Sequence, residues 1–187
     1  MDSTMIEQEC IDELADMAGI LDRVSLITKS AMNGEIEFET SLRQRMALLQ
    51  GLDVAIIDEV IEERITYTTG GKTLISTMKN NGAWCALVSG GFTAFTSRVA
   101  SELGFDEHHA NILLESDGTL AGKVAEPILG RQAKVVEMNK IAAARSLQSE
   151  DFIAVGDGAN DLVMMEAAGL GIAYHAKPKV QQQAQAA

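Results

Sequence analysis

The stretch Phe152-Ile153-Ala154-Val155-Gly156-Asp157-Gly158-Ala159-Asn160-Asp161 decides the fold class. An apolar run of strand length enters a turn carrying two glycines, two carboxylates and an amide, and a helical segment follows. A buried strand that ends in a polar, Gly-rich loop before a helix is the repeating unit of a parallel α/β sheet. Ligands of open α/β sheets bind beyond the carboxyl ends of the strands, so this loop is a candidate site as well as a turn. Two carboxylates and an amide suit a hard, oxygen-preferring cation such as magnesium. Asp and Gly also favour plain turns, so the site reading needs support from elsewhere in the chain.

Two more apolar runs share the pattern: Ala83 to Val88, ending at Ser89-Gly90-Gly91, and Leu170 to Tyr174. Ser89-Gly90-Gly91 brings a hydroxyl and exposed backbone N–H groups to a strand end before a helix start, which suits phosphate oxygens. Lys134 opens a helix-like segment after an irregular stretch, where an ammonium can face a phosphate and balance nearby carboxylates. A lone lysine is ordinarily a solvated surface residue. Gly70-Gly71-Lys72-Thr73 imitates a nucleotide-binding P-loop, but that pattern requires glycine at position 66, where the chain has Thr66.

The sheet-forming part begins after Thr68. Before it, from about Glu7 to Arg64, the chain reads as consecutive amphipathic helices punctuated by Gly19, Asn33-Gly34 and Gly51. Ile11, Leu14, Met17 and Ala18 repeat at helical spacing, as do Val24, Ile27 and Ala31, then Leu42, Met46 and Leu49, then Val54, Ile57 and Ile61. These positions predict the core of a small helical bundle.

Composition excludes several classes. The 187 residues are 47% hydrophobic and 22% charged, the balance of one globular unit with at most one insertion. No apolar stretch approaches the roughly 18 residues of a membrane span, so no membrane insertion is expected. The net charge of −12 opposes nucleic-acid binding, which needs a basic surface. Cys10 and Cys85 form no CxxC pair, and no leader precedes them; a reducing, cytoplasmic setting without a disulfide is expected. His108, His109 and His175 lack zinc-site spacing and read as solvated or loop residues, the adjacent two pointing apart. The tail Gln181 to Ala187 reads as a frayed helix or a disordered terminus.

Taken together, Met1 to Thr4, Ser89 to Phe92, Lys134 and Gly156 to Asp161 resemble the four motifs of the haloacid dehalogenase superfamily, and within it the phosphoserine phosphatases. The resemblance runs from Met1 to Lys179. It implies a Rossmann-like parallel α/β core with an inserted helical-bundle cap, residues 1–8 and 66–187 forming the core and residues 9–65 the cap. It also implies the small-molecule substrate O-phosphoserine, the last step of serine biosynthesis, and Mg2+ as cofactor. By the same resemblance Asp2 is the general acid/base and lends its backbone carbonyl to the metal. Asp157 is the side-chain metal ligand, and Asp161 fixes the coordination from behind. Ser89, Gly90 and Lys134 hold the phosphoryl group, and Asn160 supports phosphate and substrate.

In the implied cap, Glu9 takes the substrate ammonium and Arg45 its carboxylate, with Met32 and Phe38 as apolar lining. Helix geometry supports choosing one arginine, because Arg43 and Arg45 lie about 200° apart around a helix. The family's opening motif is Asp-x-Asp-Ser-Thr; Asp2 matches its second Asp, and the first, the nucleophile, has no counterpart in the sequence. A fragment lacking the first strand and the nucleophile, and lacking a final strand at its other end, is therefore expected, with little phosphatase activity of its own. Two other readings are a phosphotransferase of the same family using an acceptor such as homoserine, and an inactive phosphate-ligand binding module.

Overall fold

The computed structural model describes residues 1–32 and 35–187; the expected helix stop Asn33-Gly34 lies outside the described residues. Four helices realise the amphipathic segments: α1 (Cys10–Met17), α2 (Leu21–Met32), α3 (Phe38–Leu48) and α4 (Ala55–Glu63). On α1, Ile11, Leu14 and Ala15 recur at the spacing of one helix face and are buried. That helix stops at Gly19, whose φ of +69° a side chain would resist, while the Gly19 and Ile20 N–H groups return to the Asp16 and Ala15 carbonyls. Val24, Leu42, Met46, Leu49, Ile57 and Val60 join one apolar cluster with α1.

The chain enters and leaves this helical section side by side. Glu7 N–H donates to the Thr66 carbonyl at 2.9 Å and Thr68 N–H to the Met5 carbonyl at 3.1 Å, about a bridge between Ile6 and Tyr67.

Beyond α5 (Gly71–Asn80), the parallel strands β1 (Ala86–Phe92) and β2 (Glu107–Asn111) flank α6 (Thr93–Leu103). Leu87, Phe92, Phe95 and Val99 carry the same apolar cluster into this unit. An antiparallel hairpin follows, β3 (Leu113–Ser116) and β4 (Thr119–Val124). Helix α7 (Arg131–Arg145) then leads to a second parallel pair, β5 (Ile153–Gly156) and β6 (Leu170–Ala173), around α8 (Leu162–Ala167). Packed on both β1 and α8, α7 spans the two units. Parallel strand pairs with intervening helices are the α/β class expected from the sequence.

Several local expectations change. The strand expected at Ala83 to Val88 instead starts at Ala86 and runs through Ser89-Gly90-Gly91. Its register shifts there, the five residues from Val88 to Phe92 opposing the three from His109 to Asn111, so Ser89 to Gly91 bulge out of the ladder. The hairpin turns on Asp117-Gly118, both at positive φ, as a two-residue turn requires.

The tail is not frayed. After α9 (Pro178–Gln181) it returns to β6, where Ala186 bridges Ile172 and its carbonyl accepts the Ala173 N–H at 2.8 Å. An open strand edge offers unpaired groups that a polar Gln/Ala segment can satisfy.

His108 and His109 lie in β2 rather than in a loop and do point apart. His108 meets the Thr96 hydroxyl on α6 at 3.0 Å, and His109 lies between Glu107 and Glu137 of α7. Cys10 and Cys85 are free and buried. No helix among the described residues is long and apolar enough to cross a membrane.

Candidate active site

Four distant stretches converge at the C-terminal ends of β1 and β5. The opening segment Met1 to Thr4 folds into a tight turn, with the N–H groups of Thr4, Met5 and Ile6 all directed at the Met1 carbonyl. From that turn the Thr4 hydroxyl donates to Asp157 Oδ1 at 2.6 Å, tying the start of the chain to the loop after β5. Ser89, in the β1 bulge, accepts the Gly91 N–H on its hydroxyl at 3.0 Å. In the first turn of α7, Lys134 bonds Asp161 Oδ1, and Asp161 Oδ2 accepts the Gly158 N–H at 3.1 Å. Lys134 and Asp161 are buried, at 4% and 5% exposure, so the lysine is held as one half of an ion pair rather than as a solvated surface residue.

These groups surround a cavity of about 160 Å³. Asp2, Ser89, Gly90, Lys134, Asp157, Asn160 and Asp161 line it, together with Glu9, Phe38, Leu42 and Arg45 of the helical section. Every expected site residue except Met32 is thus brought together. Met32 ends α2 with 66% of its surface exposed, because only Val24 of that helix is turned fully into the core. Arg43 points elsewhere, pairing with Glu39 and Glu126 on the surface.

Burial pushes the Asp2 carboxyl up from its ordinary range, against the pull of the Met1 ammonium, the Cys10 S–H and Lys134. Cys10, fully buried, donates that S–H to Asp2 Oδ1 at 3.2 Å. Burial, then the charges of Asp2 and Asp157, push Glu9 up to about 7, with the Ser3 hydroxyl at 2.6 Å opposing. Glu9 is nonetheless an exposed residue, so water at the cavity mouth screens part of this push. Burial lowers Arg45, and Asp12 and then Glu9 raise it.

Glycine is required where the loops approach one another. A Cβ on Gly91 would stand 3.2 Å from both Asp2 Oδ2 and Ser89 Oγ, and one on Gly90 would stand 3.3 Å from Phe38.

Asn111 was not foreseen as a site residue. It ends β2, and its side chain donates to the Gly90 and Leu129 carbonyls at 2.9 and 3.2 Å and accepts the Leu129 N–H at 2.7 Å, which clamps the β1 bulge. No apolar run marks Glu-His-His-Ala-Asn as a strand, so neither β2 nor its last residue had a signal. Cys10 was likewise silent, its link to Asp2 arising only when α1 packs beside the opening turn.

Among the described residues no group of three or more His, Cys, Asp or Glu side chains is placed to hold a metal ion. The donor set still fits magnesium, which is commonly bound through one or two carboxylates while water and substrate phosphate complete its six ligands. Asp157 lines the cavity and its Oδ2 has no hydrogen-bond partner among the described residues, whereas both oxygens of Asp161 are engaged by Lys134 and Gly158.

A family model for haloacid dehalogenase-like hydrolases matches residues 1–166. This chain belongs to the haloacid dehalogenase-like hydrolases. Within that family it groups with the phosphoserine phosphatases. It is 50% identical over 183 residues to a probable phosphoserine phosphatase of Schizosaccharomyces pombe, covering 97% of this chain and 61% of the relative. It is 45% identical over 192 residues to the phosphoserine phosphatase of a Polaromonas species, covering 100% of this chain and 81% of the relative. A substrate-bound phosphoserine phosphatase complex superposes with a TM-score of 0.92 at 42% identity, over 100% of this chain and 88% of that one. The chain thus spans about three fifths of the yeast relative and four fifths of the Polaromonas hydrolase.

Proposed function

We propose that this chain carries the binding and phosphoryl-transfer groups of a magnesium-dependent phosphatase that hydrolyses O-phosphoserine to serine and phosphate. The observation that supports it is the set of groups around one cavity: Ser89, Gly90, Gly91 and Lys134 together with Glu9 and Arg45. The relatives' name, phosphoserine phosphatase, agrees with that set.

In this reading the Ser89 hydroxyl, the backbone at Gly90 and the Lys134 ammonium hold the phosphoryl oxygens, and Asn160 steadies them. Asp2, whose burial favours its protonated form, gives a proton to the departing serine oxygen and then takes one from the attacking water. Asp157 and the Asp2 main-chain carbonyl hold the magnesium, with Asp161 fixing the loop through Gly158. When bound, the ion supplies Lewis-acid stabilisation of charge on the phosphoryl group. The aspartyl-phosphate route needs a carboxylate nucleophile at the first position of the family's opening motif, immediately before Met1.

Glu9 takes the substrate ammonium and Arg45 its carboxylate, so a zwitterionic alcohol ester fits these two residues while a plain phosphate ester leaves two charges unmatched. Residues 9–65 act as the cap over a core of residues 1–8 and 66–187, with the paired crossing at Ile6 and Tyr67 as its base. A cytoplasmic setting belongs to the same reading and is supported by two buried, unpaired cysteines.

The test is phosphate release from O-phosphoserine with Mg2+ and with chelator, by this chain and by one extended upstream through a strand ending in Asp. Magnesium-dependent release by the extended protein supports the reading. A folded extended protein that releases no phosphate sinks it.

A further inference from the structure

The loop that carries Ser89 has no ladder of its own. Val88 pairs with His109 and Phe92 with Asn111, and the peptide groups between them leave the sheet as a bulge. The bulge reads Ser89-Gly90-Gly91, and a peptide plane between two glycines turns over easily because neither residue has a Cβ to resist it. Which way that plane faces decides what stands beside the Ser89 hydroxyl in the cavity.

The Gly90-Gly91 bond is trans, so the Gly90 carbonyl and the Gly91 N–H share one plane and point opposite ways. Both are held. The carbonyl accepts the Asn111 side-chain amide at 2.9 Å, and the N–H donates to Ser89 Oγ at 3.0 Å. With a donor already on its oxygen, the Ser89 hydroxyl keeps its proton for an acceptor in the cavity that it lines. In the flipped plane the Gly90 carbonyl would replace the N–H beside Ser89 and take that proton itself. Asn111 is in turn fixed from a second segment: it is 3% exposed, donates to the Leu129 carbonyl at 3.2 Å and accepts the Leu129 N–H at 2.7 Å. Leu129 directly precedes Gly130, which caps α7, the helix of Lys134.

We propose that Asn111 is a positioning residue for Ser89: by holding the Gly90 carbonyl it keeps the Gly91 N–H on the Ser89 oxygen and leaves the Ser89 hydroxyl to donate to a phosphoryl oxygen. The inference rests on the phosphate reading of this loop. Asn111 does not line the cavity and acts through the peptide plane, so its effect disappears when residue 89 has no hydroxyl. A residue that merely supports the fold would weaken binding by the same factor with or without that hydroxyl.

The experiment is NMR titration of the whole chain in Mg2+ with inorganic phosphate, using the native protein, Asn111→Ser, Ser89→Ala and the double variant. The expected result is an approximately fivefold or greater loss of phosphate affinity for Asn111→Ser, and less than about twofold further loss when it is added to Ser89→Ala. Should Asn111→Ser fail to fold, Asn111→Thr carries the same comparison, because its branched side chain suits a strand and its single hydroxyl cannot serve all three backbone groups. Phosphate affinity within about twofold of native for the Asn111 variant, or an equal loss in both backgrounds, overturns the positioning role. Native binding that weakens in Ser89→Ala still upholds the phosphate reading in that case. A native chain that binds no phosphate, or a Ser89→Ala variant that binds it as the native chain does, overturns that reading and this inference with it.

Discussion

Replacing Lys134 by Met keeps the length of the side chain and removes its charge, leaving the Asp161 carboxylate buried with the Gly158 N–H as its remaining donor. Both residues are about 95% buried, so bulk water cannot substitute for the ammonium. Removing one partner of a buried ion pair costs about 3–5 kcal/mol, most of it the desolvation of the charge left behind. In a chain of this size each kcal/mol lowers Tm by about 2–4 °C, so Lys134→Met should melt about 6–20 °C below the native protein. Urea and thermal unfolding of native, Lys134→Met, Asp161→Asn and the double variant measure it. If the pair is the cause, the double variant loses less than the sum of the singles by more than about 1 kcal/mol. A loss below about 1 kcal/mol for Lys134→Met, or strict additivity, would refute the reasoning and make Lys134 a residue held by packing alone.

Three further outcomes follow from the geometry. Gly91→Ala should reduce affinity for O-phosphoserine at least several-fold, since its Cβ would press on Asp2 Oδ2 and Ser89 Oγ at 3.2 Å; calorimetric titration reads the change. Cys10→Ala removes the S–H that Asp2 Oδ1 accepts and should cost about 1–3 kcal/mol in urea unfolding, with Cys10→Ser retaining most of it. Glu9 has a folded pKa raised to about 7 from an unfolded 4.5, so its contribution to stability is full below 4.5 and is lost as pH rises through about 7. Ligand binding should move the opposite way, because only ionised Glu9 attracts an ammonium: affinity for O-phosphoserine rises across that window, and Glu9→Gln flattens the difference between the two pH limits.

Much of the site was legible because its chemistry sits in short contiguous motifs. Gly156 to Asp161 places a turn, two carboxylates and a helix start within six residues, and Ser89-Gly90-Gly91 does the same for a phosphate loop. The helices were legible because Ile11 and Leu14, or Leu42 and Met46, repeat at the spacing of a single face. Strand β2 was not, because a parallel strand of Glu, His, His, Ala and Asn carries no apolar run and is defined only by its ladder to β1. The Asp117-Gly118 hairpin turn carried a readable signal, a two-residue loop that tolerates positive φ, and it went unrecognised. The tail misled for the reverse reason: Gln and Ala suggest a frayed end, yet the free edge of β6 captures Ala186.

The sequence alone determined the class of fold, the helical section ahead of it and the chemical types at the site, since local periodicity and turn chemistry act over a few residues. Tertiary structure decided which of those residues meet. Thr4 reaches Asp157 across 153 positions, and Lys134 finds Asp161. Such pairings depend on how strands and helices stack, a long-range property set by burial of the shared apolar cluster, and no spacing along the chain encodes it.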